Sequence, residues 1–131
     1  MLKVVIIDGN AISRNLLTSV LTTGGYEVIG DTNTSTAGIA SMVKLQPQIL
    51  CVDTGDAENN GMNMLESLRD LFPKALVFMV AAKMDSDRVQ SALQRGVHGF
   101  IVKPFNAVTV LMTIRNAVIK LAKQQTAKPA E

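Results

Sequence analysis

Residues 4–10 read Val-Val-Ile-Ile-Asp-Gly-Asn. A Val/Ile run that does not alternate with polar residues suits a strand buried on both faces, as in a parallel sheet. The run stops on a carboxylate, Asp8. Asn10 then offers an N-cap to a helix carrying Ile12, Leu16, Leu17, Val20 and Leu21, and Gly24-Gly25 ends it. The same strand-then-helix order recurs along the chain. Further strands are expected at Tyr26–Ile29, Ile49–Val52, Leu76–Val80 and Gly99–Val102. Between and after them, helices are expected from about Ser35 to Leu45, across Met62, Met64, Leu65, Leu68 and Leu71, from Asp85 to Gly96, and from an Asn106 cap to about Leu121. Five β-then-α units predict a three-layer, doubly wound α/β sandwich with helices on both faces. Ligands of such folds lie at the carboxyl ends of the strands.

The composition agrees with one folded domain. The chain has 131 residues, 47% apolar and 18% charged, which excludes a disordered polymer and is long enough for a real core. The longest unbroken apolar run, Ala75 to Ala82, has eight residues, against about 20 for a membrane span. The N-terminal apolar stretch is too short for a signal peptide, and the single cysteine, Cys51, has no internal partner; a cytoplasmic location is expected. The formal charge of +2 belongs to residues 120–131, a basic tail; residues 1–119 are neutral. With no basic stripe, no Trp and one Tyr, nucleic-acid binding is not expected.

The strand ends carry the chemistry. Asp8-Gly9-Asn10 follows the first strand, Asp53-Thr54-Gly55-Asp56 the third, Ala81-Ala82 the fourth and Lys103-Pro104-Phe105 the fifth. Each polar residue has a plain structural reading as a helix start, a turn residue or a solvated lysine. Two carboxylates and a lysine on one sheet edge also fit phosphoryl transfer to a carboxylate. The carboxylates can hold Mg²⁺, one of them can act as nucleophile, and the lysine can offset the charge of the transferring group.

The motifs VVIIDGN at 4–10, QILCVD at 48–53, GMNMLESLR at 61–69 and GFIVKPF at 99–105 make the chain resemble the receiver domain of bacterial response regulators. The likeness runs from residue 3 to about 121, so a receiver domain over 1–122 and a short tail over 123–131 are expected. The resemblance implies a flavodoxin-like sheet order of 2-1-3-4-5. It implies Asp53 as phosphoacceptor, Lys103 as the phosphate-binding lysine, commonly before a cis proline, and Phe100 as the switch aromatic. Mg²⁺ would be held by Asp8, Asp53 and the Gly55 carbonyl. It further implies a histidine kinase or phosphotransfer protein upstream and a protein target downstream, with no enzymatic activity beyond self-phosphorylation and self-dephosphorylation.

The sequence departs from the family pattern at several places. Gly9 stands where a second acid is usual, so Mg²⁺ is expected to bind weakly. Ala81 stands at the switch position and lacks its hydroxyl. Asp56-Ala57 replaces Met-Pro, with Asp56 a candidate for the missing acid or a turn residue, and Asn60 replaces an Asp. Two readings follow: a working receiver, and a degenerate one that binds a partner without phosphorylation. An aspartate-dependent phosphatase is the enzymatic rival, but Asn10 and Gly55 stand where its second acid would follow Asp8 or Asp53. The only histidine, His98, precedes a strand, and Cys51 lies inside one, so neither suggests a hydrolase or zinc site.

The last helix gives separate information. Its expected core stripe is Ala107, Leu111, Ile114, Val118 and Leu121, with a polar face of Thr109, Thr113, Asn116 and Lys120. Val108, Met112 and Ile119 form a third, apolar side, which implies either deeper burial or a homodimer or target surface. The resemblance points to the same face, made by the fourth helix, fifth strand and fifth helix. With no output domain after the last helix, action as a stand-alone domain through another protein is expected.

Overall fold

The computed structural model describes residues 1–55 and 58–127. Five strands and five helices alternate: β1 Lys3–Ile7, α1 Ala11–Thr23, β2 Glu27–Thr32, α2 Thr36–Met42, β3 Ile49–Asp53, α3 Glu58–Leu71, β4 Leu76–Ala81, α4 Ser86–Gln94, β5 Gly99–Val102 and α5 Ala107–Ala127. A 3₁₀ turn, Val43–Leu45, extends α2. All pairings are parallel and the sheet order is β2-β1-β3-β4-β5, as the resemblance implied.

The unbroken apolar strands divide their side chains between two cores. Val5, Ile7, Leu50, Val52, Val77 and Met79 pack with Ile39, Leu65, Leu68 and Ala92 of α2, α3 and α4. Val4, Ile6, Ile49, Cys51, Phe78, Val80 and Ile101 pack with Leu17 and Leu21 of α1 and Val110 and Ile114 of α5. Residues 4–7 are all buried, which is why the run has no polar alternation. Cys51 is fully buried, and burial pushes its thiol up to about 12, so it is inert core.

The caps at Asn10 and Asn106 fall where the sequence placed them, and Asp85, the expected start of the fourth helix, is its cap. Asn10 Oδ1 accepts from the N–H groups of Ile12 and Ser13, Asp85 Oδ1 from Arg88, and Asn106 Oδ1 from Thr109. Gly24 caps α1, and Gly25 follows in the left-handed region at φ 91°.

Three expectations are corrected. β2 ends at Thr32 rather than Ile29, because the chain passes Gly30-Asp31 as a bulged strand rather than a turn. α5 continues to Ala127 rather than ending near Leu121, so residues 122–127 are helical too. Its buried stripe is centred on Val110 and Ile114, while Ala107 and Leu121 at the two ends are exposed. Val108, Met112 and Ile119 are 67%, 56% and 40% exposed, so deeper burial does not explain the wide apolar arc.

Candidate functional site

Parallel strand order sends β1, β3 and β5 to the same edge of the sheet, and their ends carry Asp8, Asp53 and Lys103. Asp8 follows β1 directly, its N–H still donating to Thr32 O at 3.0 Å. It is the only buried charged residue among the described residues, 5% exposed. Asp53 closes β3. Lys103 follows β5, and its backbone N–H donates to Ala81 O at 3.0 Å, which joins the loop to the end of β4. The Lys103–Pro104 peptide is cis.

The three side chains meet. Lys103 Nζ lies 2.6 Å from Asp53 Oδ2 and 3.0 Å from Asp8 Oδ2. The second oxygens are held locally: Asp8 Oδ1 accepts from Asn10 N–H and Asp53 Oδ1 from Gly55 N–H, both at 2.8 Å. Each of the four carboxylate oxygens therefore has a donor, which fixes both planes. Burial alone would lower the Lys103 pKa. The hydrogen bonds that the ammonium donates to Asp53 and Asp8, with the charges of those carboxylates, outweigh it and hold the ammonium above its ordinary value.

The remaining predicted positions surround this cluster. Gly55 takes φ 77°, a left-handed conformation that suits glycine in the turn after β3. Ala81 is buried at the end of β4, and its methyl offers no hydrogen bond. Phe100, half-buried on β5, packs against the core on the α2–α4 side. Gly9 is exposed, and a Cβ built on it would meet only Thr34 Oγ1, at 3.9 Å. Asp56, the candidate substitute acid, lies outside the described residues.

One participant escaped the sequence reading. Arg14, on the first turns of α1, donates from Nη1 to the Asp8 carbonyl oxygen. Its Nε lies 3.2 Å from Asp31 Oδ1 on β2. An arginine one turn past the cap that follows an acidic strand end was the available signal.

The side-chain acceptors gathered here are all oxygen, from the two carboxylates of Asp8 and Asp53, a chemistry that suits a hard cation that keeps several waters. Among the described residues no group of three His, Cys, Asp or Glu side chains is gathered for a metal.

The chain is thus a doubly wound α/β protein whose lysine-bridged carboxylate pair lies at the strand ends, where ligands of such folds bind. The response regulator receiver domain family matches residues 4–115, and the chain belongs to it. The chemotaxis protein CheY of Thermotoga maritima is 29% identical over 109 residues, covering 83% of this chain and 91% of its own. CheY of Bacillus subtilis is 26% identical over 116 residues, 88% of this chain and 97% of its own. Among solved structures, a response regulator from Thermotoga maritima superposes with a TM-score of 0.79 at 20% identity, over 90% of this chain and 98% of that one; it shows the same fold. No helix among the described residues is long and apolar enough to cross a membrane.

Proposed function

We propose that the chain works as a phosphoacceptor in a phosphorelay. Asp53 receives a phosphoryl group from a histidine kinase or phosphotransfer protein and signals to a downstream protein by contact. The observation that carries this reading is the Lys103 ammonium bridging Asp53 at 2.6 Å and Asp8 at 3.0 Å. An oxygen of Asp53 forms the new O–P bond as the P–N bond to the donor imidazole breaks; the imidazole takes up a proton from solvent. Lys103, already beside the acceptor oxygen, offsets charge on the transferred group. Asp8, Asp53 and the Gly55 carbonyl would hold Mg²⁺, weakly because Gly9 supplies no carboxylate, with Asp56 a further candidate ligand. When bound, the cation would neutralise the phosphoryl oxygens. The exposed Val108, Met112 and Ile119 side of α5 is proposed as the contact surface, for a second copy or the target.

A second reading draws on Ala81. Without a hydroxyl there, phosphorylation has no donor at the end of β4 to pull, and the domain would serve as an interaction module independent of phosphate.

Intact-mass measurement after acetyl phosphate and Mg²⁺ separates the two. One added phosphoryl group, lost in Asp53→Asn, supports the phosphoacceptor. No addition at saturating Mg²⁺ supports the module.

A further inference from the structure

The pairing of β1 with β2 breaks register. Val4 is opposite Val28, but Val5 is opposite Gly30, so Ile29 is the extra residue of a bulge. Beyond it, Ile6 faces Asp31 and Ile7 faces Thr32. The bulge changes which side of the sheet each residue addresses. Val28 packs into the core on the α1–α5 side, and Ile29 into the core on the α2–α4 side. Strict alternation would return Gly30 to the α1 side and send Asp31 toward α2. Instead Gly30 also faces α2: a Cβ there would lie 2.8 Å from Met42 Sδ and 3.0 Å from Leu45 Cδ1. Asp31 faces α1, where Arg14 meets it at 3.2 Å.

Arg14 connects this edge strand to the site. Its Nε faces Asp31 while Nη1 donates to the carbonyl oxygen of Asp8. The planar guanidinium has a fixed fork of donors, so anchoring one arm orients the other. Asp8 is then held at its N–H by Thr32 O, at its carbonyl by Arg14, and at its carboxylate by Asn10 N–H and Lys103. Two of those four holds, Thr32 and Arg14 through Asp31, come from the part of β2 beyond the bulge.

We propose that Arg14, anchored by Asp31 through the bulge at Ile29, is a positioning residue that aims Asp8 into the acidic site. The inference rests on the metal-assisted phosphoacceptor reading above. On this view the bulge turns a carboxylate that is not itself in the site toward the helix that braces the site. Groups that orient a ligating carboxylate from behind commonly change metal affinity by about 10- to 100-fold when removed. The ion pair contributes little to global stability, because Asp31 is 46% exposed.

Amide chemical-shift titration with Mg²⁺, paired with urea unfolding, tests this on the full chain. Arg14→Gln is expected to weaken Mg²⁺ binding by roughly tenfold while leaving the urea midpoint close to that of the parent. Asp31→Asn weakens it less, and the double variant is no weaker than Arg14→Gln, since Asp31 acts only through Arg14. If Arg14→Gln fails to fold, Asp31→Asn carries the test alone. Affinity within about twofold of the parent in both single variants, or additive losses in the double variant, overturns the positioning role. A parent protein with no response to Mg²⁺ overturns the metal-assisted reading itself, and this inference with it.

Discussion

Gly9 and His98 show how far single positions determine behaviour. A Cβ at Gly9 meets nothing closer than Thr34 Oγ1 at 3.9 Å, and Gly9 is outside the left-handed region, so an L side chain fits without strain. The missing acid is therefore a loss of charge rather than of space. Gly9→Asp is expected to tighten Mg²⁺ binding on the order of tenfold, about 1.4 kcal/mol, by adding a charged ligand. Isothermal calorimetry reads this directly, and an unchanged affinity would mean that the second acid does not limit the site. His98 is set differently. Its Nδ1 accepts from Val77 N–H at 3.1 Å and its own backbone N–H donates to Val77 O at 2.7 Å. Burial, then the Arg69 charge, hold its pKa below the ordinary value. The unfolded chain thus binds a proton near the ordinary pKa of about 6.5, where the folded chain still resists it. Stability falls as pH drops from about 6.5 toward the lower folded-state pKa, and His98→Gln should flatten that slope in urea midpoints measured between about pH 7.5 and 5.5. Since His98 is the only histidine, an equal slope in the variant would place its origin elsewhere.

At the scale of elements, what was legible and what was not divide on whether the cause is local. The strands β1, β3, β4 and β5 were readable because burial on both faces demands an apolar run, and the caps at Asn10 and Asn106 because a cap is a contact within three residues. That Asp8, Asp53 and Lys103 come together was readable because parallel order fixes which strand ends meet. β2 was not readable past Ile29, since Gly30-Asp31 resembles a turn until β1 is alongside and a bulge at Ile29 carries the strand on through the glycine. Arg14 and Asp31 were hidden for the same reason: their meeting depends on the bulge. The end of α5 was partly readable in retrospect, because Ala122, Lys123 and Gln124 are good helix formers. The exposed side of α5 gives the test at this scale. Lys at both Met112 and Ile119 places two charges on an apolar face already open to solvent, so the fold should tolerate them within about 1 kcal/mol. Sedimentation should show loss of self-association if copies of the chain meet there, and a dimer that survives would remove this face as their interface.

For the whole molecule, the decisive contact is the longest-range one at the site. Lys103 lies 95 residues from Asp8, so their ion pair ties the first strand to the last loop of the sheet. Asp8 is nearly without solvent, and Asp53 is held against the same ammonium, so removing the lysine leaves two carboxylates facing one another with one of them buried. Breaking a fully buried pair costs about 3–5 kcal/mol. With the Lys103 side chain 20% exposed, water can reach the gap, and Lys103→Ala should cost less, about 1–3 kcal/mol. A divalent cation held by the same carboxylates would restore the missing positive charge. Binding to the folded state alone stabilises by about 1.4 kcal/mol when the free ion is tenfold above its dissociation constant. Mg²⁺ should therefore raise the urea midpoint of Lys103→Ala more than that of the parent, where the ion competes with a resident ammonium for the same two carboxylates. A variant as stable as the parent, or equal gains in the two proteins, would show that Lys103 does not balance the charge of this pair.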